Sequence, residues 1–227
     1  MSVNLPTIYC LNFNNPERKA SMESRFKEIG IDDYVMSPGV PLSDKRITVT
    51  CEHTKKCHSC MYGHLDMIRN FLDNDSHPYG IFCEDDIMID ADFVNRINHV
   101  ISDFEKQDLD IMLLGYLINH VIVGDSPSFE GTIYKYYEYV PKTIWGTQMY
   151  MMTRKHARYI VNKYGQQKME NLNIPFSADW TITQEGNKRI VYPMLAIEDG
   201  KTTYEHPGQA HFHQLSHSVH LNSSNYV

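Results

Sequence analysis

The chain has 227 residues, 42% hydrophobic and 22% charged, which is enough for one buried core and unlike a disordered or low-complexity composition. Its 21 Lys and Arg against 28 Asp and Glu give a formal net charge of −7 with no basic block, which argues against a nucleic-acid or anionic-membrane partner. No run approaches the roughly 20 apolar residues of a membrane span, and the N-terminus shows no signal peptide. Five cysteines suit a reducing compartment better than a disulfide framework, so a cytoplasmic location is expected.

In chain order, "PTIYCLNF" (6–13) is an apolar, β-branched and aromatic run that reads as a buried strand. "PERKASMESRFKEIG" follows as an amphipathic helix, opened by proline and stopped at Gly30, with Met22, Phe26 and Ile29 on one face. "DYVM" is a short strand, and 37–57 reads as a long loop. "HSCMYGHLDMIRNFL" returns to helix, "YGIFC" is a strand, and "DADFVNRINHVISDF" is a helix with core spacing at Phe93, Ile97, Val100, Ile101 and Phe104. "DIMLLG" is another buried strand. This alternation predicts an α/β sandwich with a largely parallel sheet. Further on, 131–140 and 146–153 read as strands, "RKHARYIVNKYG" as a helix and "RIVYPML" (189–195) as a late strand, before a tail rich in His, Ser and Asn. No linker divides the chain.

At the carboxyl end of the most apolar early strand stand Glu84, Asp85 and Asp86, where open α/β sheets gather their ligands. Strand alternation would aim Glu84 and Asp86 one way and Asp85 the other. Adjacent carboxylates there suit a hard divalent cation, Mg²⁺ or Mn²⁺, shared with phosphate oxygens. The alternative is a solvated turn that caps the next helix. Asn12, Asn14 and Arg18, around the first helix start, make a phosphate or nucleobase neighbourhood, or else a turn followed by a surface arginine.

These residues resemble glycosyltransferase family 25, the lipopolysaccharide and collagen galactosyltransferase group. "YCLNFNNPERKASM", "CMYGHLDMI", "IFCEDDIMI", "GTQMYMMTRKHARYIV", "SADW" and "YPMLAIED" are similar to its motifs, in its order, over about residues 6–199. Phe13, Asn14, Asn15 and Gly63 depart from its pattern. The resemblance implies a GT-A-like, Rossmann-like α/β/α fold in one catalytic domain spanning 1–227. Its nucleotide-sugar half would cover about 1–125, and its acceptor half with the His-rich tail about 126–227. It further implies an inverting, metal-dependent transfer of galactose or glucose from a UDP-sugar to a hydroxyl acceptor, a glycan above all, with Mn²⁺ or Mg²⁺ as cofactor.

Carried over by position, Asp85 and Asp86 would hold the metal and diphosphate. Leu11, Asn12, Arg18, His64 and Glu84 would line the donor site. An inverting transfer needs a base to take the acceptor hydroxyl proton, and Asp179 is the candidate, unless it caps the short helix at "ADW". In the tail, His211 and His213 would share one strand face and are candidates to complete the metal shell; the other reading is a polar tail. Cys51, His53, Cys57, His58 and Cys60 also invite a structural zinc reading, weakened by the lack of a second Cys-x-x-Cys pair. Two alternatives stand beside the transferase: a sugar nucleotidyltransferase, which would normally carry a glycine-rich loop that "CLNFNNPERK" lacks, and a non-catalytic nucleotide- or glycan-binding relative.

Overall fold

Ile8–Asn12 (β1) is buried along its whole length, as a strand covered on both faces must be. The computed structural model describes residues 5–118, 135–138 (backbone), 144–165, 176–199, 213 and 225–227. In chain order β1 is followed by α1 (Pro16–Glu28), β2 (Tyr34–Pro38), α2 (Glu52–Asn74), β3 (Tyr79–Glu84), β4 (Ile87–Ile89) and α3 (Phe93–Lys106). Then come β5 (Ile111–Ile118), β6 (Lys135–Glu138), β7 (Ile144–Thr153), α4 (Arg154–Tyr164), α5 (Ala178–Thr181), β8 (Lys188–Tyr192) and β9 (Ala196–Glu198).

Seven strands form one sheet in the order β2-β1-β3-β7-β5-β8-β6, while β4 and β9 pair separately. β1 is parallel to β2 and β3, and β5 to β8; β7 runs antiparallel to both β3 and β5, and β6 antiparallel to β8. Five of the seven strands therefore point one way, and the predicted mostly parallel α/β sandwich is present. Strand alternation sorts the core into two layers. Tyr9, Leu11, Phe82, Leu113, Tyr150 and Ile190 face α2 and α4, whereas Ile8, Cys10, Ile81, Met112, Met149 and Val191 face α1 and α3.

Local chemistry explains the ends. Asn15 caps α1, its side-chain oxygen accepting from the N–H groups of Glu17 and Arg18 at 3.1 Å each, with Pro16 next in the first turn. Thr153 caps α4 by accepting from His156 N. Gly63 lets α2 lie against β1, since a Cβ there would stand 2.9 Å from Leu11 Cδ1.

Three expectations need correction. The loop over 37–57 ends early, because α2 begins at Glu52; its first turn is polar and exposed, so no apolar stripe announces it. The late strand "RIVYPML" (189–195) stops at Tyr192, before Pro193, which has no N–H for a ladder; β9 begins only beyond it, at Ala196, and pairs with β4 instead. β4 itself, only three residues long, went unexpected. The predicted strand 131–140 is present over Lys135–Glu138, and its remaining positions lie outside the described residues. No helix among the described residues is long and apolar enough to cross a membrane.

Candidate functional site

The carboxyl ends of β1 and β3 lie side by side, with Leu11 paired to Glu84. Because β7 is antiparallel to β3, its early residues reach the same sheet edge. Onto this edge the fold brings two groups of polar side chains.

The first group surrounds Arg18. Its Nη1 stands 3.1 Å from Asp85 Oδ1 and 3.2 Å from Asp86 Oδ2. Asn12 Nδ2 donates to Asp85 Oδ2 at 2.6 Å and to the Asn15 carbonyl at 2.9 Å, which fixes the amide between strand and helix cap. The expected alternation of the triplet is therefore incorrect. β3 ends at Glu84, the chain bends at 85–86, and both aspartates turn to one guanidinium while Glu84 goes elsewhere. Burial raises the Asp85 carboxyl above the usual aspartate range; Arg18 and Asn12 pull the other way without cancelling it, and Glu84 adds to the rise. Burial opposes the charge on Arg18, yet Asp86 and Asp85 outweigh it and hold the guanidinium more firmly protonated.

The second group surrounds Glu84. Its Oε1 lies 3.3 Å from His64 Nε2, 2.9 Å from Thr147 Oγ1 and 3.9 Å from Cys60 Sγ. Thr147 Oγ1 also lies 3.3 Å from Asp179 Oδ1, in the first turn of α5. His64 is fully buried, and its Nδ1 is 2.9 Å from the Tyr150 hydroxyl. A carboxylate only accepts, so Nε2 carries the imidazole proton and Nδ1 accepts from Tyr150. Burial, with Cys60 and Glu84 nearby, drives the Tyr150 phenol well up, which keeps it a donor. Burial likewise pushes the Cys60 thiol well up, and Glu84 and Asp179 push it further.

Beside these groups opens a cleft of about 340 Å³ bordered by Phe13, Asn14, Gly39, Leu42, Lys56 and Cys60. This is small-ligand size. Phe13, 44% exposed, lines it. Gly39 is required, because a Cβ would meet the Phe13 ring at 2.3 Å.

Of the residues chosen from sequence, Asn12, Arg18, Asp85 and Asp86 form one group, and His64, Glu84 and Asp179 the other. Leu11 packs in the core under Gly63, behind the site. His213 is buried and hydrogen-bonds Glu198 on β9, whose neighbour Asp199 donates its N–H to the Asp86 carbonyl at 2.7 Å. His211 lies outside the described residues. The five-residue zinc set does not assemble. Cys57 Sγ faces His53 Nε2 at 3.8 Å, while His58 is buried and meets the Phe176 ring edge-on. Among the described residues the cluster able to hold an ion is Cys60, His64 and Glu84, whose ligand atoms all lie within 4.8 Å of one another. Thr147 and Tyr150 were missed, because both sit inside a continuous apolar strand where only "GT" hinted at a polar role.

No protein-family model matches the sequence, and no curated protein does. Among solved structures, the chain is similar to A197 from STIV, with 12% identity over 89% of this chain and 100% of that one and a TM-score of 0.43. It is also similar to a glycosyltransferase involved in glycosylation of the major capsid of PBCV-1, with 12% identity over 87% and 96% of the two chains and a TM-score of 0.46. At that identity and those scores, neither likeness says what this chain does.

Proposed function

We propose that the chain is an inverting, metal-dependent glycosyltransferase that moves a hexose, galactose or glucose, from a UDP-sugar to a hydroxyl of a glycan acceptor. The observation that carries this reading is the pairing of Asp85 and Asp86 with a single cationic nitrogen at the carboxyl edge of parallel strands. Two carboxylates that already present one oxygen each to one positive centre fit a divalent cation, once Arg18 swings aside. Arg18 is 42% exposed and has room to do so. Asp85 and Asp86 would hold Mn²⁺ or Mg²⁺, with His213 and His211 as candidates to complete its shell. Bound there, the ion supplies positive charge to the leaving diphosphate.

The remaining work falls to the chain itself. Phe13 offers a face for the uracil ring in the cleft, and Lys56 and the displaced Arg18 meet phosphate oxygens. Asp179 takes the proton from the acceptor hydroxyl as its oxygen attacks opposite the leaving UDP. Thr147 orients that carboxylate. His64, fixed by Tyr150, holds Glu84 in place beside the donor.

The test is release of UDP from a panel of UDP-sugars, with and without Mn²⁺. We expect Mn²⁺-dependent UDP release that falls about 100-fold or more in Asp86→Ala. Release unchanged by that substitution would overturn the reading. Pyrophosphate formed from UTP and a sugar 1-phosphate would replace it with a nucleotidyltransferase, and UDP binding without turnover would replace it with a binding protein.

A further inference from the structure

We propose that Cys60, His64 and Glu84 form a binding site for a zinc-class transition-metal ion, separate from the strand-tip pair Asp85 and Asp86. Cys60 and His64 are four residues apart on α2 and so share one helix face. Gly63 between them allows that face to approach β1 closely enough for both to reach Glu84 at the end of β3.

The spacing suits an ion. Ligand atoms around a tetrahedral zinc, at its usual bond lengths, stand about 3.3–3.6 Å apart. His64 Nε2 to Glu84 Oε1 is 3.3 Å, Cys60 Sγ to the same oxygen is 3.9 Å, and all three ligand atoms lie within 4.8 Å of one another, so closure on an ion needs a movement of about an ångström or less. A sulfur, a nitrogen and an oxygen together select zinc, cobalt or copper over Mg²⁺ or Mn²⁺, which prefer oxygen alone. The two adjacent sites therefore differ in the class of ion they take. Three protein ligands leave a fourth position for water or for a group of a molecule seated in the cleft that Cys60 borders.

The protons balance without oxidation or reduction. The Cys60 thiol proton leaves to solvent as the metal–sulfur bond forms. His64 exchanges tautomers with solvent, losing a proton at Nε2 and gaining one at Nδ1, so its charge is unchanged; Tyr150 keeps its own proton, turned away from the ring, while the phenol oxygen accepts from Nδ1. Tyr150 then fixes the metal-binding tautomer, the outer-shell role that ligating histidines usually require.

The test loads the chelator-treated full chain with Co²⁺ and records its absorption spectrum. We expect one thiolate-bound ion per chain, with a near-ultraviolet thiolate-to-cobalt charge-transfer band and intense visible bands of a tetrahedral centre. Cys60→Ser should remove the near-ultraviolet band, and Glu84→Gln should weaken Co²⁺ binding about tenfold or more. Asp86→Ala should leave the band in place, so the outcome does not depend on whether the chain transfers sugar. No band in the wild type, or a band that survives Cys60→Ser and disappears in Cys57→Ser, overturns the proposal. Should Cys60→Ser fail to fold, zinc X-ray absorption on Cys57→Ser decides: sulfur in the first shell supports the site, and an all-oxygen shell overturns it.

Discussion

Thr147 owns one hydroxyl proton and faces two carboxylates. At 2.9 Å against 3.3 Å the proton goes mainly to Glu84, and Asp179 receives the weaker share. That asymmetry suits Asp179 as a base and Glu84 as a fixed neighbour. On the proposed mechanism, Asp179→Asn keeps the side chain's shape and removes its ability to take a proton. We expect kcat to fall about 10²–10⁴-fold with the KM for the donor little changed. Steady-state kinetics measure it, and unchanged turnover would remove Asp179 from the role.

At the scale of elements, α2 decides how the site is assembled, because it carries Cys60 and His64 and rests on β1 through Gly63. Gly63→Val would drive branched carbons into Leu11, and overpacking of this kind costs about 1–3 kcal/mol. Urea denaturation should read that loss, and a variant as stable as the wild type would contradict the close contact. The acidic triplet, the strand before it and the stripes of α1 and α3 were legible in sequence, since each rests on periodicity or on charge against an apolar run. Other features depend on tertiary partners. β4 is a strand only because β9 lies beside it, and α2 starts six residues before its apolar stripe shows. Aspartates 85 and 86 share an arginine because β3 stops at Glu84, which no alternation rule announces. Tyr150 looks like any core aromatic until the fold sets His64 against it.

For the molecule as a whole, the acid corner is held at the expense of stability. The folded chain keeps a proton on Asp85 to higher pH than the unfolded chain does, so ionising it lowers stability as pH rises from the ordinary aspartate value through the raised one. Below that window both states are protonated and the cost vanishes. Asp85→Asn should therefore gain on the wild type in melting temperature as pH rises from about 3 to about 7, while losing Mn²⁺-dependent UDP release; calorimetry at the two pH values measures it. The same corner is tied to the end of the chain. Asp199 leaves β9 with its N–H on the Asp86 carbonyl, and Ile89 of β4 exchanges two backbone hydrogen bonds with Val227, at 2.9 and 2.8 Å. Tyr226 adds a hydroxyl bond to the Met194 carbonyl at 2.9 Å. β4 thus has β9 along one edge and Val227 along the other, with His213 fastened to Glu198 of β9. A strand of three residues leans on both of its neighbours. Deleting 225–227 strips β4 of its partner along one edge, and thermal melting would show the trimmed chain weakened.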